Sequence, residues 1–338
     1  MTNPVPFPVE IFEEVFSYVV EVRDADLLPK PHSIPFMLKA SLLSCALSCR
    51  TLCRLALNAI WHTLDSFKPL LKLLPFDVVD GTFMIAGEIP DAAWKRFDHY
   101  VRMVKRFLLC EATRSHPLVF RNAVYIRLAL HRPRPFPSLT TFICTTEKFS
   151  YFMMLFISPH IREFVYWFGT EDNAKDIAMY LSCLKSEAPL LRRITIGCLG
   201  TCYLPVVLQF HNLRHLSLCR SDPDNGDISE PKRLDSLSCG HLEYLTELEL
   251  DIHGLSMDVP AMRGRSDSPP RRLERLSLTV DPYSLSTAQG ILELYQDSPV
   301  QSLELLGSTS MDMHTSRELF DAIPSSWLAS LATFTVDC

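Results

Sequence analysis

Four residues of this chain, Cys198, Cys202, His211 and His215, combine metal-ligand types with a C-x3-C-x8-H-x3-H spacing. Two thiolates and two imidazoles suit tetrahedral zinc, but such fingers place about twelve residues between the two ligand pairs. Leu213, Leu216 and Leu218 also follow a strand pattern that would interrupt the finger's helix. A second thiol row, Cys45, Cys49 and Cys53, repeats at i, i+4 and i+8. Cysteine metal sites usually need close pairs on turns and a fourth ligand, whereas a free cysteine packs as a small hydrophobe. Both groups therefore read as structural, and no metal is expected.

Neither a nucleophile beside a base nor paired carboxylates on one element stand out above chance, and the 11 glycines form neither G-x-G-x-x-G nor a Walker A loop. The expectation is a non-catalytic protein without a cofactor. The basic stretch "RGRSDSPPRR", Arg263 to Arg272, reads as a solvated loop, with a nuclear address or phosphorylation at Ser268-Pro269 as the functional alternatives.

The elements that must carry whatever function exists are set by a chain of 338 residues, 47% of them hydrophobic. That is enough for two or three domains or one elongated array. A net charge of −6 favours neither nucleic acid nor an anionic membrane as partner. Eleven cysteines, an odd number, and an acidic opening "MTNPVPFPVEIFEEV" argue for reduced thiols in the cytoplasm or nucleus. The most apolar run, "YFMMLFI" from Tyr151 to Ile157, is far short of the roughly 20 residues that span a bilayer.

The stretch "FPVEIFEEVFSYV" predicts a helix from Phe7 to Val19 whose polar residues Glu10, Glu13, Glu14 and Ser17 form one narrow stripe. Its apolar face is far wider than the roughly 100° of an ordinary surface helix, so it needs more than one thing to pack against. A loop with prolines at 29, 31 and 35 follows. From Phe36, Leu42, Cys45, Cys49, Leu52, Cys53, Ala56, Ile60 and Leu64 recur at helical intervals and predict one apolar face without a break.

These residues resemble an F-box, whose usual form is a Leu-Pro-x-Glu-Ile/Leu helix, a leucine-rich helix with Val-Cys-Arg/Lys, and a closing Leu-Trp. Pro8, Glu10, Ile11, Val15, Phe16, Leu43, Leu47, Cys49, Arg50, Leu55, Ala56, Ile60 and Trp61 occupy those positions. "LDSFKPLLKLLP" from Leu64 and "WKRFDHYVRMVKRFLL" from Trp94 are similar to segments of the fungal F-box families. The chain departs from the pattern at Phe7, at Leu52 and in the long loop from Glu21 to Pro35. The resemblance implies a three-helix unit docked on a Skp-type adaptor, with Pro8, Ile11, Phe12, Val15, Leu43, Leu47 and Trp61 as adaptor-binding residues.

Beyond residue 100 the pattern apolar-x-x-apolar-x-apolar starts at Val104, Leu139, Ile161, Leu191, Leu213, Leu245, Leu273, Val300 and Leu331, at intervals of 22 to 35 residues. Helical stretches fall between the starts: Ile177, Leu181, Leu184 and Ala188 share one face behind a cap at Asp172 or Asn173. So do Ala288, Ile291, Leu292 and Tyr295, and in the longest interval Val119, Ala123, Ile126 and Leu130, while Thr315 and Glu318 read as a capping box. A strand and a helix at that period resemble a leucine-rich repeat solenoid. The repeat's usual asparagine or cysteine is replaced by Leu199, Ser221, His253 and Asp281. A doubly wound parallel sheet is the alternative, disfavoured because no glycine-rich phosphate loop follows any strand.

The expected fold is thus α/β: an F-box-like helical domain over residues 1–66, a linker or helical cap over 67–100, and an irregular solenoid of parallel strands and convex-side helices over 101–338. In each strand the fourth and sixth positions face the core, so the third and fifth point outward. Among these, Arg193, His215, Glu247, Glu249, Arg275 and Glu304 are the candidates for binding a target protein by complementary charge. The resemblance implies a substrate receptor of a Skp-cullin-F-box ubiquitin ligase, with the adaptor, the cullin complex and an unidentified protein substrate as partners. A repeat scaffold that binds its partner without any ligase is the alternative.

Overall fold

A computed structural model describes residues 9–20, 36–79, 82–85, 87–110, 122–146, 151–167, 174–197, 203–219, 232–234, 242–252, 255–257, 272–307 and 313–337. The protein is α/β, with several helices and a large parallel sheet of ten strands whose order follows the chain. That order never reverses among the described strands, unlike a doubly wound sheet, and it closes no barrel. Two compact units divide the chain, residues 1–145 with 151–161, and residues 146–150 with 162–338.

The first unit opens with three helices: α1 (Val9–Val20), α2 (Phe36–Ser48) and α3 (Arg50–His62). The unbroken apolar face expected from Phe36 to Leu64 is corrected here. Cys49 adopts an extended backbone, φ −155° and ψ 162°, and the chain restarts as α3 with the Cys53 amide donating to the Cys49 carbonyl at 2.8 Å. Helical spacing alone cannot register such a break, because a single extended residue re-aims the following helix while both halves keep their own periodicity. Leu64 lies beyond the helix altogether, in strand β1 (Thr63–Leu64).

A one-turn helix α4 (Lys68–Leu71) follows, then the antiparallel pair β2 (Phe76–Val79) and β3 (Thr82–Ile85), helix α5 (Asp91–Val101), strand β4 (Arg106–Cys110), helix α6 (Asn122–His131) and strand β5 (Thr141–Thr145). β1 and β5 both pair with β4 in parallel, Thr63 opposite Arg106 and Phe107 opposite Phe142. Behind them lies an aromatic core. Phe156, in the 3-10 turn Tyr151–Phe156, stacks on Phe142 at 4.7 Å and on Phe136 at 4.9 Å, and Phe67 meets Phe107 at 6.1 Å between centroids. The apolar "YFMMLFI" run is thus core material. Helix α6 corrects another expectation, since it buries Val124 and Leu128 and exposes Ile126 and Leu130. It is apolar on two sides, and Arg127, which donates to the Ile85 carbonyl at 3.1 Å, settles its rotation. Val119 lies outside the described residues.

The second unit contains β6 (Glu163–Trp167), α7 (Ala174–Glu187), β7 (Arg193–Gly197), α8 (Leu204–Val207), β8 (His215–Leu218), β9 (Lys232–Leu234), β10 (Glu247–Asp251), β11 (Leu255–Met257), β12 (Arg275–Val280), α9 (Leu285–Leu294), β13 (Ser302–Gly307), α10 (Met313–Asp321) and β14 (Thr333–Asp337). Strands β6, β7, β8, β10, β12, β13 and β14 lie side by side in parallel, while β9 and β11 form a separate parallel pair. The fourth and sixth residues of all nine apolar triplets fall on strands, the first just ahead of them, and in this unit they form columns: Ile194, Leu216, Leu248, Leu276 and Leu303 are successive partners, as are Ile196, Leu218, Leu250, Leu278 and Leu305.

One hydrogen-bond pattern holds each step. The carbonyl of Arg162 accepts from the amides of Arg192 and Arg193, and the Arg192 carbonyl from Arg214 and His215. Arg214, Thr246, Glu274 and Gln301 continue the series. A shift by one residue would turn every column to the other face, so this repeated bond and the leucine columns define the register together. Ile177, Leu181 and Leu184 are buried along α7 and Ala188 just beyond its end, as are Ala288, Ile291 and Leu292 along α9 and Tyr295 at its C-cap. The caps at Asp172 and Asn173 lie outside the described residues.

Asp281, one of the four replacement residues, caps the turn before α9. Its carboxylate accepts from the Ser284 amide at 2.9 Å, and Ser284 Oγ accepts from the Asp281 amide at 3.0 Å. Thr315 and Glu318 do not form the expected capping box, because α10 already begins at Met313. Instead His314 approaches Glu318 at 3.3 Å across one turn.

Candidate functional site

Ile11, Val15 and Tyr18 recur at i, i+4 and i+7 along α1, and Leu43 and Leu47 at i and i+4 along α2. All five are exposed, Leu47 to 80% and Tyr18 to 70%. Beneath them Leu42, Ala46, Leu55, Ala56 and Ala59 are buried, and Phe16 and Ile60 pack against Leu42 and Ala59. Of the expected adaptor-binding residues, Ile11, Val15, Leu43 and Leu47 therefore present their side chains to solvent, and Phe12 is half-buried. The Trp61 ring packs against Tyr100 of α5, 4.5 Å between centroids and tilted by 32°, which makes it a packing residue within the unit. Pro8 lies outside the described residues. Tyr18 is an exposed aromatic that the sequence reading left out, although its spacing from Ile11 and Val15 was the available signal.

The second region is the polar row across the parallel strands. Glu163, Arg193, His215, Glu247 and Arg275 are third-position residues that the register sets opposite one another, roughly 4.8 Å per strand. Arg193 lies 3.7 Å from Glu163, His215 Nδ1 donates to Glu247 Oε2 at 2.7 Å, and Arg275 donates to Glu247 Oε1. In the next row Ser277 donates to Glu304 at 3.0 Å, and the Cys219 thiol donates to Glu249 at 3.6 Å. The six target-binding candidates are thus brought onto one face as cross-strand partners. Glu163, Ser277 and Cys219 join them and were not among the candidates; for Glu163 the signal was its third position in the repeat.

The expectation that all fifth positions point into solvent is corrected. Val165, Thr195 and Ser217 are buried on that same face. Side chains this small are enclosed by their neighbours in the row, and at its end the Trp167 ring lies directly over Gly197. A β-carbon at residue 197 would collide with that ring, so glycine there is a packing requirement.

Two groups in the ladder are electrostatically displaced. Hydrogen bonds from His215 and Arg275 hold the Glu247 carboxyl down at about 2 in spite of partial burial. Burial, with Glu249 nearby, pushes the Cys219 thiol up to about 12, which leaves it protonated and unreactive. Among the described residues no three His, Cys, Asp or Glu side chains converge on a point that would hold a metal. His211 sits in a turn and His215 is engaged by Glu247, while Cys198 and Cys202 lie outside the described residues. No described helix is long and apolar enough to cross a membrane. In comparison with known proteins, the chain matches no family model, and no curated protein matches it.

Proposed function

We propose that the chain is the substrate receptor of a Skp-cullin-F-box ubiquitin ligase, holding a Skp-type adaptor with α1–α3 and a target protein with the polar face of the parallel strands. The observation that carries this reading is the outward-facing set Ile11, Val15, Leu43 and Leu47 on α1 and α2. These exposed side chains present apolar surface that a partner protein would remove from water, with a gain in stability by mass action. The F-box resemblance names the partner, because its motif positions include these four residues. On the strands, charges of both signs stand in fixed rows, an arrangement that selects partners by complementarity. Ubiquitin transfer itself would be performed by other subunits, and the chain would need no chemistry or cofactor of its own.

Co-expression with a Skp-type adaptor tests the reading. A complex that survives gel filtration, and is lost on Leu47→Asp with Val15→Asp, is the expected result. Failure of the unsubstituted chain to form any complex would defeat the ligase reading and leave a partner-binding scaffold.

A further inference from the structure

The order of the ten-stranded sheet begins and ends on different kinds of strand. At its start β1 has only two residues, Thr63 and Leu64, and both are buried. At its end β14 runs for five residues, pairs with β13, and meets no described strand beyond it. Short or covered edges discourage association, as do lysines and prolines. The β14 sequence "TFTVD" has neither residue, and its one charge is at the last position.

The leucine columns stop at this edge. Phe334 and Val336 are the partners of Leu303 and Leu305, yet Leu303 and Leu305 are buried while Phe334 is 45% exposed and Val336 half-buried. Phe320 of α10, itself exposed, meets the Phe334 ring edge-on at 5.8 Å between centroids, which puts α10 on the core face of the strand. The Thr333 amide donates to the Gln301 carbonyl, so by alternation the N–H and C=O groups of Phe334 and Val336 point out from the edge.

Helix α10 adds a charge pattern. His314, Arg317, Glu318 and Asp321 fall at i, i+3, i+4 and i+7 and share one exposed face, basic toward the N-terminus and acidic toward the C-terminus. The helix dipole favours the reverse order, so helix stability does not account for it. The contacts within the helix, His314–Glu318 at 3.3 Å and Arg317–Asp321 at 4.0 Å, are exposed and weak. A second α10 running antiparallel would set each basic half against an acidic half.

We propose that two copies of this chain join edge to edge through β14, about a two-fold axis at Thr335. Phe334 of one copy then exchanges both backbone bonds with Val336 of the other, and their side chains form a cross-strand aromatic and β-branched pair on the core face. The same axis makes the two α10 helices antiparallel, which is the charge match that helix presents. Such pairing consumes both edges, so assembly stops at the dimer. It leaves the stripes of α1 and α2 free.

Sedimentation equilibrium of the full-length chain tests this, with a monomer–dimer midpoint expected at about 10 µM. Phe334→Lys, which puts a lysine from each copy beside the axis, should weaken the dimer at least about tenfold. Val336→Pro removes an outward N–H and should do the same; the exposed Phe334 variant keeps the question testable if the proline variant fails to fold. Arg317→Asp should weaken it about threefold, and Arg317→Asp with Asp321→Arg should restore it, because the pairs re-form between copies with signs exchanged. Leu47→Asp with Val15→Asp, which breaks the adaptor reading, should leave it unchanged. A monomer at about 200 µM, species larger than a dimer, a dimer indifferent to both β14 substitutions, or one lost with the α1 and α2 substitutions would overturn the proposal.

Discussion

The three N-terminal helices and the parallel strands of the second unit are built from similar apolar residues and treat them in opposite ways. Leucines at the first, fourth and sixth positions of the strands from β7 to β13 are buried to within a few per cent, whereas Leu43 and Leu47 of α2 stand half to four-fifths exposed. A strand in a parallel array has a neighbour with the same pattern on either side, so each leucine column is completed by the next strand. The helices have no such repetition. Two sides of α3 are occupied by α1 and α2, and the outer stripes of those two helices remain uncovered.

The comparison can be broken most sharply in the columns. Leu216→Ala, between Ile194 and Leu248, should cost about 3 kcal/mol in urea denaturation, since neighbouring columns prevent collapse of the space it leaves. A loss below 1 kcal/mol would mean that the columns are not tightly packed. Gly197→Ala should follow at about 2 kcal/mol, because the new methyl group displaces the Trp167 ring; near-ultraviolet circular dichroism would show that displacement.

The polar face should give a smaller, pH-dependent effect. Glu247 titrates in the folded chain at about 2, below its ordinary 4.5, so its contribution is complete above pH 4.5 and fades as pH falls toward 2. Partial exposure of the pair reduces that contribution to about 1 kcal/mol. Glu247→Gln should remove it and flatten the acid limb of stability against pH; an unchanged limb would show that the His215–Glu247–Arg275 group contributes nothing. Last, Leu47→Ala should change stability by no more than about 0.5 kcal/mol, as expected of an exposed side chain, while reducing adaptor capture about tenfold. A large loss of stability there would mean that Leu47 is covered within the chain itself.

Much of this was legible along the chain. The nine apolar triplets marked nine strands because the period of two within a strand and the return every 22 to 35 residues are both written in side-chain type. Helices α1, α7 and α9 were legible by their spacing. The antiparallel pair β2 and β3 was overlooked, although Asp80-Gly81 between two apolar runs is a hairpin signal. The break at Cys49 and the rotation of α6 were not legible. The first rests on one residue's backbone angles, and the second on a choice between two equally apolar stripes made by Arg127 and its partner Ile85.

For the candidate sites the division is similar. Residue spacing alone placed Arg193, His215 and Glu247 on one face of their strands, since alternation is a local property. That His215 and Arg275 both grip Glu247, and that Val165, Thr195 and Ser217 are enclosed, were decided by the register between strands. Register is a relation between distant segments, and no window of sequence contains both partners. Local sequence determined which residues could be neighbours of solvent or core; only the packed sheet decided which of them became neighbours of one another.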